Sequence, residues 1–442
     1  MNRPVDLQNE QFQALVVDRP DEGRFLVDRR VYSDPEIFDL ELRAIFEGNW
    51  LYLCHESQLP KPHDFFTTHM GRQPVVLIRN GDGEINGFVN ACAHRGAKLC
   101  RTARGNAKHL VCPYHGWVYD SNGRNVDIKD RDSGGYPPIF DQQSHDLTPI
   151  ARLGVYKGFV FGSLNPNVQT LDDFLAGARG IIDLMADQSP DGLEVLPGVS
   201  TYTFNGNWKL QAENGVDGYH ASTLHAVYFR VVMERLKQQR NDSIKAISVS
   251  DLASLKGGTY DLGSGHSAMW SEIPNAHDRP LNFMREEIES RLGEEHATWM
   301  INHMRNLLLY PNVFLMDQTS TQIRVFRPIS VDKTEVKIYC VAPKGERPEA
   351  RARRIRQYED FFNASGMATP DDLIEFEACQ QGFGAQVARW QEGFDRGFTR
   401  LQHGADSDGR KVGLQPEFST TNTQDEVLFH GQYRQWLRNL AA

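Results

Sequence analysis

Cys92 and His94 in the stretch CAHRG, and Cys112 and His115 in CPYHGW, put one thiol and one imidazole on each of two short arms, seventeen residues apart. The whole chain has only six Cys and fifteen His. Two Cys and two His could hold zinc, but zinc sites of this ligand set usually keep the thiols on one arm and the imidazoles on the other. One of each per arm suits a two-iron cluster, with both thiolates on one iron and both imidazoles on its neighbour. Replacing two thiolates with neutral imidazoles raises the reduction potential. Gly96 and Gly116 lie just past the two His, which predicts tight loops that bring backbone N–H groups towards bridging sulfides. Pro113 stiffens the second loop. Cys54 and Cys100 fall outside the pattern and read as packing thiols.

A second constellation follows about a hundred residues on. ENGVDGYHASTLH sets Asp217 three residues before His220, and His225 five residues after it. Two imidazoles and one carboxylate bind non-haem Fe(II) and leave positions open for O2. Alone, two His on a partly exposed helix are ordinary structural residues. A one-electron cluster needs an acceptor, however, and an O2-activating iron is a chemically sensible one.

These residues need elements to hold them. PEIFDLELRAIFEGNW (35–50) spaces Ile37, Phe38, Leu40, Leu42, Ile45 and Phe46 as a helix would. From about 50 to 165 the pattern turns to short β runs. GDGEING (81–87) resembles a phosphate loop, but no helix pattern follows it, so a hairpin turn is expected. TLDDFLAGARGIIDLMADQ (170–188) reads as one helix with Thr170 as its cap. Good antiparallel strands come later, and helices end the chain. The fold class is therefore α+β. Three regions are expected: a helical segment over 1–45, an all-β cluster domain over 46–166, and an iron-binding domain over 167–442 whose antiparallel sheet is surrounded by helices.

Composition excludes several classes. The 442 residues have a net charge of −10, against nucleic acid as a main partner. No run of about 18 apolar residues points to a membrane span. The polar start MNRPVDLQNEQ lacks an apolar leader, and six Cys in this length is no disulfide framework, so a cytoplasmic location is expected. No dinucleotide fingerprint stands out.

Taken together, NWK…EN…D-x-YH-x4-H downstream of C-x-H…C-x-x-H resembles the large (α) subunit of Rieske ring-hydroxylating dioxygenases, over nearly the whole chain. The stretches IFEGNWLYLCHESQLP, FVNACAHRGAKLCR, DQSPDGLEVLPG and RQYEDFFNASGMATPDDL are similar to the benzoate, toluate and anthranilate 1,2-dioxygenase group in particular. The resemblance implies a Rieske [2Fe–2S] cluster on Cys92, His94, Cys112 and His115, and mononuclear Fe(II) on His220, His225 and a downstream Asp. That Asp is Asp372 in TPDDLIEF, with Asp371 as the fallback. It implies that Asp217 joins the two metal sites, between His220 and a cluster imidazole, His115, of a neighbouring subunit. Asn214 is not counted as a ligand, because its offset from the first His is one residue off the family pattern.

The implied activity is the terminal oxygenase step: cis-dihydroxylation of a benzoate-like acid at the 1,2-position, with O2 and electrons from NADH. Anthranilate or aniline dioxygenation, or monooxygenation of a related aromatic, stays open. A Rieske electron-transfer protein without oxygenase activity is the alternative from another class. Implied partners are a small β subunit in an α3β3 hexamer (or α3 alone), a flavin and iron–sulfur reductase, and possibly a ferredoxin. Val227, Phe229, Val232 and Met233 are pocket candidates. The basic run with Arg347, Arg351, Arg353, Arg354 and Arg356 is either a solvated helix face, a subunit contact or a docking patch for an acidic electron donor.

Overall fold

The computed structural model describes residues 12–228, 230–231, 234, 255–318, 321–360, 363–385 and 387–441. They form two compact units. One is Phe46–Leu171; the other joins the described residues up to Ile45 with those from Asp172 onward.

The first unit is built from three small antiparallel sheets. One runs Ile85–Val89, Gln73–Arg79, Asp64–Met70, Arg104–Asn106; the second Asn125–Asp127, Val118–Asp120, His109–Val111; the third Arg152–Tyr156, Phe159–Ser163, Leu51–His55. The GDGE stretch is the expected hairpin turn. Arg79 pairs with Ile85, and Asn80 N–H donates to the Glu84 carbonyl at 2.8 Å. Cys92 and Cys112 sit in one core with Val76, Ile78, Leu110, Trp117 and Tyr119, so packing of the sheets fixes where the two arms meet.

The second unit has one large antiparallel sheet. Its strand order is Leu193–Val195, Lys333–Pro343, Thr321–Ser330, Val313–Asp317, His303–Leu309, Ser267–Glu272, Gly257–Asp261, Phe418–Thr420, Gln402–His403, and Ser200–Phe204 also pairs with Lys333–Pro343. Register sorts the side chains by face. Ala268, Leu307, Leu315 and Ile323 align across four strands on one face, and all are buried. Met269, Asn306 and Met316 align on the other, with Ser271 and Met304 one pleat along and Arg324, opposite Phe314, one pleat the other way. The helices Trp208–Asn214, Pro348–Asp360 and Phe429–Ala441 pack on this sheet.

Two expectations need amending. Within the described part of 1–45, the helices Arg30–Ser33 and Pro35–Glu41 come late. Before that, Val16–Arg19 and Arg24–Asp28 form a hairpin that extends to Trp390–Gln391. The turn between them, PDEG, has a Pro at its start and Gly23 at φ 64, a signal the helical reading passed over. The single helix over 170–188 is two, Leu171–Leu175 and Ala178–Ala186. Gly177 N–H donates to the Leu262 carbonyl instead of continuing the first helix.

One buried charge pair anchors the site-bearing helix. Glu41 and Lys209 are almost fully buried and 2.5 Å apart. Trp208 Nε1 and Trp436 Nε1 also donate to the Glu41 carboxylate, at 2.8 and 2.7 Å. Burial pulls the Lys209 ammonium below its usual pKa, and the Glu41 charge works against that pull. A Lys209→Met variant leaves the carboxylate buried without its cation and should lose about 3–5 kcal/mol in chemical denaturation. The double variant with Glu41→Gln should recover most of it. An unchanged midpoint for the single variant would contradict this.

Candidate metal centres and active-site cavity

The two arms of the first unit repeat one local design. Gly96 N–H donates to the Cys92 carbonyl (2.8 Å) and Cys92 N–H to the Ala97 carbonyl (2.9 Å). Gly116 N–H donates to the Cys112 carbonyl (2.9 Å) and Cys112 N–H to the Trp117 carbonyl (2.7 Å). Gly96 and Gly116 have φ of 71 and 73, which explains the glycines. Their N–H groups close the turns on cysteine carbonyls, which gives the tight loops that the sequence predicts.

The turns bring the four predicted residues together. Cys92 and Cys112 are buried, and the His94 and His115 rings lie 4.5 Å apart. The Nδ1 atoms of both imidazoles are buried with no hydrogen-bond partner. Orphaned imidazole nitrogens beside buried thiols fit a metal group that takes all four. Burial pushes the Cys92 thiol up, so it would ionise only with a cation at hand, while the Tyr119 hydroxyl 3.2 Å from Sγ acts the other way. Ala93 N–H donates to the Tyr119 oxygen, which leaves the phenol proton for the sulfur. Trp117 stacks on His94 at 5.0 Å.

In the second unit, Asn207 caps the helix Trp208–Asn214 through Lys209 N–H, and the helix stops at Gly215. A single turn, Ala221–Leu224, follows, with His220 just before it and His225 just after. In a continuous helix a spacing of five would splay the two rings. Here His225 leaves the helix at φ −90, ψ 16, and the rings converge to 5.1 Å. Asp372, in the first turn of the helix Thr369–Gly382, faces both: Oδ1 is 3.3 Å from His225 Nε2 and 3.6 Å from His220 Nε2. One ligand atom from each of the three lies within 4.8 Å of the others. Asp371 instead sits 3.8 Å from His225 Nδ1, the other ring nitrogen.

Asp217 Oδ2 lies 3.0 Å from His220 Nδ1, and Oδ1 accepts from Tyr219 N–H at 2.6 Å. Burial opposes protonation of His220, but the hydrogen bond and charge of Asp217, with Asp372 beyond, outweigh it and hold its pKa above the ordinary imidazole value. A field that favours positive charge there equally favours a divalent cation, so the donor set fits mononuclear iron. Behind it, burial pushes the Glu213 carboxyl up to about 7. Tyr32 and Tyr433 hydroxyls both donate to its Oε1.

These three side chains, His220, His225 and Asp372, line a cavity of about 230 Å³ whose other walls include Met269, Met304, Met316 and Ile273. Gly215 packs on the sheet at its edge. Asn306 Nδ2 donates to the Gly215 carbonyl at 2.6 Å, and a Cβ on Gly215 would meet the Phe314 ring at 2.3 Å.

Some expectations shift. Val227 is 59% exposed and is not among the wall residues; Phe229, Val232 and Met233 lie outside the described residues. Asn214, set aside from sequence, is drawn in: its Nδ2 donates to Asp372 Oδ1 at 3.2 Å and lies 3.4 Å from His220 Nε2. The basic run is partly spent within the chain. Arg351 pairs with Glu194 and Glu346, Arg354 with Glu346, and Arg356 with Asp360. Arg324 was missed, although a charged residue between Ile323 and Val325 in a strand was the signal that could have found it.

Residues 49–143 match the Rieske [2Fe-2S] domain family, and residues 194–438 match the catalytic domain of the ring hydroxylating alpha subunit. Toluate 1,2-dioxygenase subunit alpha of Pseudomonas putida is 47% identical, over 100% of this chain and 96% of that protein. The 2-halobenzoate 1,2-dioxygenase large subunit of Burkholderia cepacia is 45% identical over 96% and 91%. The anthranilate 1,2-dioxygenase large subunit of Acinetobacter baylyi is 43% identical over 96% and 92%. Among solved structures, naphthalene 1,2-dioxygenase from Rhodococcus sp. bound to indole superposes with a TM-score of 0.83 at 25% identity, over 100% of this chain and 99% of that one. The chain therefore belongs to the Rieske ring-hydroxylating dioxygenase family, as a large (α) subunit. It is an oxidoreductase with a [2Fe–2S] cluster and mononuclear iron, and a carrier of electrons alone would not need the catalytic domain.

Gly215→Ala should force the Asn214 segment off the sheet, cost about 1–3 kcal/mol and lower mononuclear iron occupancy, with the cluster's visible absorption unchanged. Adding Phe314→Leu should restore both. Full iron in the single variant would contradict the packing argument.

Proposed function

We propose that this chain is the catalytic subunit of a terminal oxygenase that adds both atoms of O2 to one face of a small aromatic acid, at the ring carbon bearing the carboxylate and its neighbour. The observation that carries this is the convergence of His220, His225 and Asp372 on a small, methionine-walled cavity. The chain's relatives at 43–47% identity are 1,2-dioxygenases of toluate, 2-halobenzoate and anthranilate, which supports an aromatic acid over a hydrocarbon. Anthranilate lies within the same chemical class.

When bound, the cluster supplies electrons one at a time and the ferrous ion activates dioxygen beside the ring. The chain's own residues set up that encounter. His220, His225 and Asp372 are the proposed iron ligands, and Cys92, His94, Cys112 and His115 the cluster ligands. Asp217 holds the His220 proton on Nδ1, which leaves Nε2 for metal. Asn214 orients the Asp372 carboxylate. Met269, Met304, Met316 and Ile273 grip the ring without competing hydrogen bonds and keep water out. The family resemblance further assigns Asp217 a hydrogen bond from His115 of a neighbouring subunit, which would be a short route for the electron.

Two electrons per turnover, ultimately from NADH, balance the addition of O2 and two protons to the ring. A flavin and iron–sulfur reductase is the proposed donor, directly or through a ferredoxin. A small β subunit is the proposed structural companion, in an α3β3 hexamer. Among the described residues no helix is long and apolar enough to cross a membrane.

His220→Ala should keep the cluster absorption but lose mononuclear iron and turnover; surviving turnover would overturn the catalytic assignment. With labelled O2, the wild-type diol from benzoate should contain two labelled oxygens, whereas one would indicate monooxygenation. Asp217→Asn should retain most of its iron and slow cluster reoxidation in a single turnover by about 10–100-fold. An unchanged rate would remove Asp217 from the electron route.

A further inference from the structure

Three buried arginines lie in or beside this part of the catalytic unit, each at most 6% exposed. Arg279 and Arg324 line the cavity, whereas Arg305, in register with Asp317, lies on the sheet face of Leu307 and Leu315. Two of them share one carboxylate. Arg279 Nη2 lies 2.7 Å from Asp317 Oδ1, and Arg305 Nη2 binds Asp317 Oδ2. Arg279 is committed further, through its Nη1, to the carbonyls of Met300, Ile301 and His303 at 2.9–3.0 Å. Burial pulls Arg305 down to about 10, with Asp317 opposing, so both guanidiniums stay charged at neutral pH. Nearby Arg354 is matched by Glu346 at 2.6 Å.

Arg324 differs in place. It sits in mid-sheet, opposite Phe314 on one neighbouring strand and Ile338 on the other, both fully buried. The pleat puts it on the same face as Met269, Asn306 and Met316, and it lines the cavity together with His220, His225 and Asp372. It also belongs to the metal end: its cross-strand neighbour Phe314 lies against Gly215, next to Asn214, which donates to Asp372.

Chemistry explains why that end matters. Oxidation at the carbon that bears the carboxylate requires the carboxylate itself to lie one bond from the attacked position. Its anchor must then stand beside the metal, since a cation at the far end of the cavity would turn that carbon away. A buried carboxylate also needs a charged, hydrogen-bonding partner, and a guanidinium can offer two parallel N–H donors.

We infer that Arg324 is the specificity-determining residue that binds the substrate's carboxylate and aims the carboxyl-bearing carbon and its neighbour at the metal end. This rests on the aromatic-acid reading above and names the group that would enforce it. Arg279 and Arg305 are committed to Asp317 and to backbone carbonyls instead.

Nitrobenzene is the useful probe, because it has the shape and electron count of benzoate without the charge. Calorimetric titration of the assembled holoenzyme should show Arg324→Met binding benzoate about 10–100-fold more weakly than wild type. Nitrobenzene should bind both proteins within about threefold, since its contacts are apolar. Arg324→Lys, a point charge without the fork, should fall between. Iron content and cluster absorption should match wild type in both variants. Equal weakening of benzoate and nitrobenzene, or unchanged benzoate affinity, overturns the inference. So does loss of iron in both variants, which would make Arg324 a structural partner of the metal end. The broader reading fails differently: wild-type holoenzyme with reductase and NADH would oxidise no aromatic acid, while the benzoate titration still decides the role of Arg324.

Discussion

One carboxylate organises the catalytic unit. Asp372 Oδ1 faces the Nε2 atoms of His220 and His225, which arrive from a different segment of chain, and it accepts from Asn214 as well. A buried carboxylate with two imidazoles is costly unless a cation completes it. The surrounding structure is what makes that arrangement affordable. The Asn214–His225 segment is pinned on the sheet by Asn306 and Phe314, and its parent helix is tied to the N-terminal segment by Glu41. Aspartate position, helix end and sheet register are thus one problem with one solution.

The two metal groups are handled by opposite strategies. In the β unit, two short loops of the same hydrogen-bond design close on buried thiols and leave imidazole nitrogens unspent. Rigidity comes from the backbone and from the Trp117 and Tyr119 side chains packed around it. In the catalytic unit the proposed ligands come from separate helices, and side-chain hydrogen bonds set their direction. The first device suits a group that changes charge without changing partners. The second suits a metal that must keep positions open for O2 and a substrate beside it.

Much of this was readable in advance, for identifiable reasons. Cys92, His94, Cys112 and His115 lie on two short arms, so spacing alone constrains them. His220 and His225 flank one turn, and their convergence needed only an irregularity at its end. The choice between Asp371 and Asp372 was harder, since adjacent helical residues point about 100° apart and only packing says which one turns inward. Asn214 was discounted because its offset from His220 is one residue off the family pattern, and only the fold brings it to Asp372. The hairpin Val16–Arg19 and Arg24–Asp28 was hidden by the longer helical pattern after it. Glu41 and Lys209 lie 168 residues apart, and no local pattern joins them. Arg324 was legible as an oddity in a strand, but its meaning depends on which face the cavity occupies.

The account rests on two iron centres of different kinds in one chain. The most direct measurement is quantification of iron, zinc and acid-labile sulfide in freshly prepared, intact protein. About three irons and about two sulfides per chain are expected, with zinc below stoichiometry. Zinc as the principal metal, or protein without labile sulfide, would contradict it.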